Sequence, residues 1–281
     1  MTLAELRTIA QAGKHADPGW YRVHRRLSIH ITRLALRLGL EADHVSALML
    51  AAGTGAALLI AAGSHVANAL GFGFGYTAFL LDKVDGEVAR SRGTPTMRGI
   101  LLDRFHHRFV EPGLLFAMAW HEFRLWGSAW VLVAGLAAIL FGNAIDELQH
   151  LPAYILYKHL RQGGRAPSAA PAPASPGLAR ARDLARPLKT ARTVALSLPL
   201  AALAYAAEAL GQRPVPSWFL ALGAVALAIH VAFQCFDYWV EGLECETRSV
   251  AAVMRDRFSN DLPEPSSEAR REGSGRGGNE G

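Results

Sequence analysis

Apolar residues in this chain come in long blocks, with the polar residues gathered between them. A membrane-crossing helix needs about 20 mostly apolar residues. Six stretches reach that length: 45–63, 65–88, 98–121, 127–157, 190–210 and 215–240. The first, VSALMLAAGTGAALLIAAG, carries no charge. The second contains GFGFG, in which Gly71 and Gly75 have the small-xxx-small spacing that suits close helix packing. Core helices of water-soluble proteins are usually shorter and amphipathic. The pattern therefore predicts an all-α membrane protein with six transmembrane helices.

Ahead of these blocks, Trp20–Leu40 (WYRVHRRLSIHITRLALRLGL) repeats differently. Leu27, Ile31, Leu34 and Leu38 recur at helical spacing, with Arg26, Arg33 and Arg37 among them. It is too basic for a signal peptide and predicts an N-terminal interfacial amphipathic helix, arginines toward anionic headgroups. The chain then divides into a cytosolic N-terminal segment at 1–44, a six-helix transmembrane domain at 45–240 and a cytosolic tail at 241–281. Within the domain, 161–187 is rich in Pro, Ala, Gly and Arg and reads as a flexible cytosolic linker. The tail reads as largely disordered, above all its polar, Gly-rich residues 259–281.

Charge sets the expected topology. Of 29 Lys and Arg residues, 27 fall in 1–44, 82–108, 158–192 and 241–281; only Arg124 and Arg213 lie on the other side. Basic residues stay cytosolic, so this chain is expected to be a multi-pass protein of the inner (cell) membrane with both termini cytosolic. The net charge of +5 follows from that asymmetry and not from nucleic-acid binding, because no aromatic-interleaved basic patch is present. Cys235 and Cys245 fall at the reducing side, where a disulfide is not expected. Neither a P-loop nor a dinucleotide fingerprint occurs, and GFGFG reads as packing.

Chemistry concentrates in one stretch, Asp82-x2-Asp85-Gly86-x2-Ala89-Arg90-x8-Gly99-x3-Asp103-x3-His107. Asp82, Asp85 and Ala89 share one helix face, and Gly99, Asp103 and His107 share one face of a second helix. Thr94-Pro95 marks a turn between them. Two facing helices would gather the three carboxylates and the imidazole, and like charges so close need a cation. A divalent metal site, binuclear in the fullest form, follows.

This spacing resembles the CDP-alcohol phosphotransferase (CDP-alcohol phosphatidyltransferase) family, whose signature is D-x2-D-G-x2-A-R-x8-G-x3-D-x3-D. Seven positions match: Asp82, Asp85, Gly86, Ala89, Arg90, Gly99 and Asp103. The eighth departs, with His107 where the family has a fourth aspartate. The resemblance implies a reaction in phospholipid biosynthesis: an alcohol attacks the β-phosphorus of a CDP-alcohol such as CDP-diacylglycerol, and CMP leaves. It implies that Asp82, Asp85 and Asp103 hold Mg²⁺ or Mn²⁺. It further implies a nucleotide site at Asp82, Gly86, Ala89, Arg90 and Gly99, opening to the cytosol, and a homodimer is expected. The family aspartate at position 107 is assigned as general base. Neutral imidazole can accept a proton and can also bind metal, so His107 is the catalytic candidate and a fourth ligand. Glu111, one turn on, is a candidate to orient it, or to pair with Arg108. His106 points about 100° away.

Lys189 and Arg192, in a PLKTA-containing run similar to that of some phosphatidylglycerophosphate-forming members, are candidates to bind a phosphorylated acceptor. As a plain alternative they anchor a helix end. His121, His150, His159 and His230 read as packed or interfacial. Two other classes compete. A catalytically degenerate scaffold would bind metal without releasing CMP. A divalent-cation transporter would need carboxylates along a path through several helices, whereas the acidic residues appear gathered at one membrane face.

Overall fold

The computed structural model describes residues 2–12, 19–94, 96–162, 176–185, 188, 194–211, 213–240 and 242–259. Among the described residues every regular element is helical: α1 Leu3–Ala10, α2 Gly19–Arg37, α3 Ala42–Ala62, α4 His65–Arg92, α5 Met97–Phe105, a π-helical turn His106–Val110, α6 Glu111–Trp126, α7 Trp130–Arg161, α8 Pro176–Ala185, α9 Val194–Gly211, α10 Val215–Val240 and α11 Gly242–Ser259. They form two units, one of residues 1–145 and 182–233, the other of 146–181 and 234–281.

Local chemistry sets the helix ends that matter for the site. Gly63, at φ 84°, closes α3, and Ser64 then caps α4 by accepting from the Ala67 N–H. Gly93, at φ 65°, ends α4 in the left-handed region, where a side chain would be strained. Thr96 caps α5. This break falls where Thr94-Pro95 predicts one; Pro95 itself lies outside the described residues.

In the first unit Ile60, Phe72, Met118, Val131, Leu198 and Tyr205 form the largest buried cluster. Close packing, more than water exclusion, holds such helices together in lipid. Gly71 shows it: a methyl there would come within 2.7 Å of Ile60 Cγ1 on α3. The partner glycine, Gly75, has ordinary clearance. Helix α2 docks on α4 through Ile31, Ala35, Val84 and Val88. It leaves Val23, Leu27, Leu34 and Leu38 exposed.

Three helices are long and apolar enough to cross a membrane, Ala42–Ala62, Trp130–Arg161 and Val215–Val240, and Ser197–Gly211 is a shorter apolar helix. The six predicted spans are thus met only in part. Helix α4 carries the charged residues Asp82 to Arg92 at one end. The expected span 98–121 is divided by the π turn into α5 and a 16-residue α6 that bears Glu111 and Glu122. Two further expectations need correction. Residues 176–185, read as linker, are helix α8, a run of Ala, Leu and Arg with high helix propensity. Residues 242–259, read as disordered tail, are helix α11, supported by an Arg248–Glu244 ion pair one turn apart. Residues 163–175 and 260–281, the rest of those two segments, lie outside the described residues.

Candidate active site

The site is built where α4, α5 and the π turn converge. Thr96 Oγ1 accepts from the Gly99 N–H at 2.9 Å and donates to Asp43 Oδ1 at 2.5 Å, which ties the start of α5 to α3. Gly99 and Asp103 then lie along one face of α5. The π turn follows, with the Glu111 N–H bonded to the His106 carbonyl. Gly53 of α3 seats it, because a methyl at that position would collide with the Val110 side chain. Within the turn His106 is 4% exposed and packs beside Gly53. His107 projects into the site. The extra residue of a π turn re-aims the side chains around it, which is why such turns recur at functional sites.

The donor atoms converge. His107 Nε2 lies 3.5 Å from Asp103 Oδ1 and 3.6 Å from Asp82 Oδ1. One ligand atom from each residue lies within 4.8 Å of the others. On the far side of the ring, His107 Nδ1 is 2.9 Å from Glu111 Oε1. An ionised carboxylate only accepts, so Nδ1 donates to Glu111, and with a cation between them Nε2 and the two aspartates would each offer an electron pair. Electron-pair donors aimed at one point fit a cation. Two hard oxygens suit Mg²⁺ or Mn²⁺, and the nitrogen favours Mn²⁺.

Asp85 stands apart from this trio. Its Oδ2 accepts from Ser46 Oγ at 2.9 Å, and it lines the same cavity, about 430 Å³, as Asp82, Gly86, Ala89, Gly99 and Asp103. A side chain at Gly86 would meet the Arg90 guanidinium at 3.2 Å. Arg90 Nε donates to the Ala10 carbonyl at 2.6 Å, and its guanidinium lines the cavity. Burial and the neighbouring Arg25 lower its pKa from the ordinary arginine value. Asp82 pairs with Lys83 rather than with Arg90, Arg98 or Arg104. The Lys83 ammonium lies 4.6 Å from the centre of the Phe79 ring. Lys189 and Arg192 lie outside the described residues.

Among the cavity residues not singled out in the sequence are Arg25, Ser46 and Lys83. Arg25 is the clearest loss, hidden among the arginines assigned to headgroups. It is held at 3.3 Å by Glu87, which is 0% exposed. Glu87 also accepts from Gln11 at 2.9 Å, Ser28 at 2.7 Å and Thr32 at 2.6 Å. The signal was the polar stripe His24, Ser28, Thr32 at i, i+4 and i+8, which is out of place on a helix face that buries itself. A second cavity of about 380 Å³ is lined by His107 and Glu111 together with apolar residues including Leu115, Ala138, Leu198 and Leu220.

Residues 42–170 match the family model described as CDP-alcohol phosphatidyltransferase. No curated protein matches the chain. Among solved structures, phosphatidylinositol phosphate synthase (PgsA1) of Mycobacterium tuberculosis with CDP-DAG bound is 20% identical, with a TM-score of 0.50, over 76% of this chain and 94% of that one. The same enzyme in complex with manganese and citrate is 20% identical, with a TM-score of 0.49, over 76% and 89%. At this identity the likeness is one of fold. The matched residues contain the whole Asp82–His107 motif, so over residues 42–170 the chain carries the match to a CDP-alcohol phosphatidyltransferase domain, on apolar helices that fit a membrane protein.

Proposed function

We propose that this protein transfers a phosphatidyl group from CDP-diacylglycerol to an alcohol acceptor and releases CMP. The observation that carries this is the convergence of Asp82 and Asp103, which line a cavity together with Arg25 and Arg90, on His107, whose Nε2 lies within 3.6 Å of both. Guanidinium groups pair with phosphate oxygens in a fixed geometry, so Arg25 and Arg90 bind the diphosphate. Gly86, Ala89 and Gly99 leave room for the nucleotide beside the helix backbones. The adjoining apolar cavity, which shares His107 and Glu111 with the site, supports a substrate that carries acyl chains.

Asp82, Asp85 and Asp103 would hold the divalent cations. Bound there, Mg²⁺ or Mn²⁺ neutralises charge on the diphosphate and on the departing CMP. His107 acts as general base. Its Nε2 takes the acceptor hydroxyl proton as the oxygen attacks the β-phosphorus, and the bond from that phosphorus to the CMP oxygen breaks. Glu111 holds the Nδ1–H, fixing the tautomer that leaves Nε2 able to accept. A second reading rests on the same trio: His107 Nε2 as a metal ligand. Metal content separates the two, because only a ligating His107 loses bound metal in His107→Ala.

The finer placement belongs to this reading as well. Six spans, α2 lying on the inner leaflet by its exposed leucines, cytosolic termini, and Lys189 and Arg192 binding a phosphorylated acceptor agree with the charge distribution, and a homodimer belongs to the same reading. Purified protein given CDP-diacylglycerol, Mn²⁺ or Mg²⁺ and a panel of alcohols should release CMP with at least one of them. Metal binding without CMP release across the panel would leave a scaffold; cation flux in vesicles would leave a transporter.

A further inference from the structure

Acidic residues are not confined to one end of the helices. Glu122 and Glu208 are 0% and 2% exposed, and beside them His121 is 3% exposed. His107 of the π turn and His121 of α6 lie on one continuous helical run, and fourteen residues of it separate them by about 20 Å. This second group therefore lies at the opposite end of the first unit from the candidate active site, next to the α3–α4 turn. Gly63 of that turn abuts the His121 ring, with 3.1 Å between Nδ1 and the position a methyl would take.

We infer that His121, Glu122 and Glu208 form a second metal site, for a transition-metal dication, Zn²⁺ in the first place. One ligand atom from each lies within 4.8 Å of the others, and all three side chains are buried. The unused atoms point the same way. Glu208 Oε1 accepts from Trp126 Nε1 at 2.8 Å, while Oε2 has no hydrogen-bond partner and faces His121 Nε2 at 3.8 Å. Glu122 Oε2 accepts from Ser217 Oγ, and its Oε1 has no partner. Asn68, 3% exposed, places its amide nitrogen 3.3 Å from His121 Nε2, and its Oδ1 has no partner. An amide nitrogen only donates, so Nε2 accepts and carries a lone pair, which a cation would take in place of the Asn68 N–H. Turned over, the Asn68 amide offers its oxygen to the same point.

Two buried carboxylates at this separation are unfavourable without a compensating positive charge. One imidazole with carboxylate oxygens is the donor set of three-ligand zinc sites, and the nitrogen disfavours Mg²⁺ and Ca²⁺. Phe72, Ala78 and Met118, which lie between this group and the active site along α4 and α6, are apolar and buried. The role is a clasp: His121 and Glu122 belong to α6, Glu208 to α9 and Asn68 to α4.

The test is made on the full chain in detergent, in an Asp82→Asn/Asp85→Asn/Asp103→Asn background that removes the carboxylates of the candidate active site. That background keeps the result independent of the proposed reaction. After chelation and dialysis against Zn²⁺, elemental analysis should find one equivalent, X-ray absorption should report nitrogen and oxygen ligands, and Zn²⁺ should raise the melting midpoint. Adding His121→Ala or the isosteric Glu208→Gln should lose that equivalent and the Zn²⁺-induced shift. No zinc in the background protein, or the same zinc and shift with Glu208→Gln, overturns the proposal; in the first case the trio shares protons instead.

Discussion

Replacing Glu111 tests whether His107 works as a base whose tautomer is held from behind. The Nδ1–Oε1 bond is 2.9 Å long and charge-assisted. Such a bond contributes roughly 1.5–3 kcal/mol, against roughly 0.5–1.5 for a neutral pair. Glu111→Gln keeps an acceptor oxygen and removes the charge, a loss of about 1–1.5 kcal/mol, or about tenfold in rate. Glu111→Ala removes the hold on the tautomer, and loss of such an orienting partner typically costs about 10–100-fold. His107→Ala should cost about 10²–10⁴-fold, the usual worth of a general base. His107→Asp, which restores the family pattern, should keep substantial activity. The assay is CMP release from CDP-diacylglycerol in mixed micelles at saturating Mn²⁺, resolved by chromatography. All losses should fall on kcat, with KM for CDP-diacylglycerol little changed. The double variant His107→Ala/Glu111→Ala should be no slower than His107→Ala alone, since Glu111 acts through the ring. Parent kcat in Glu111→Ala would refute the orienting role, and parent kcat in His107→Ala would remove the base assignment altogether.

Asp82→Asn, Asp85→Asn and Asp103→Asn should each abolish CMP release while leaving the protein membrane-inserted; full activity in any two would remove the metal-site reading. Glu87→Ala strips one buried acceptor from Gln11, Arg25, Ser28 and Thr32. It should destabilise the protein by about 3–5 kcal/mol, seen as a lowered melting midpoint in detergent; an unchanged midpoint would show that the cluster carries no stability. Gly53→Val should cost at least the roughly 1–3 kcal/mol of an overpacked core and slow turnover by displacing the π turn; parent stability would show that α3 yields there. With Cys235 and Cys245 replaced by serine, a cysteine at the exposed Gly177 should react with an impermeant reagent only once cells are opened, and labelling of intact cells would invert the topology.

The helical period brought the site within reach of the sequence. Asp82, Asp103 and His107 converge because i+3 and i+4 spacing puts them on helix faces that meet, and that spacing can be read without coordinates. Whatever depended on distant pairing was hidden. Arg25 enters the cavity only because Glu87, 62 residues along the chain, draws it there. Glu208 reaches Trp126 across 82 residues. The π turn was equally invisible, because HHRFV has no composition that sets it apart from the α-helix on either side. It arises where Gly53 admits Val110, a tertiary fit that no local rule predicts. Three of the described helices are long and apolar enough to cross a membrane; block hydropathy ignores how many charges a working site places on one end of a helix.

The contacts of Glu87 and Arg90 have a consequence for the order in which the enzyme is made. Arg90 bonds to Ala10, 80 residues earlier, and Glu87 bonds to Thr32 and Gln11, 55 and 76 residues earlier. At a ribosome adding about 5–20 residues per second, the first two helices emerge seconds before Glu87, the buried partner of Ser28 and Thr32. Until α4 arrives, Ser28 and Thr32 must stay wet. The opposite side of the same helix, with Val23, Leu27 and Leu34, can rest on the bilayer meanwhile. Docking then happens once, late, and brings Arg25 with it. An unfinished chain thus lacks the cation wall of its own cavity, which is complete only after α2 and α4 have paired.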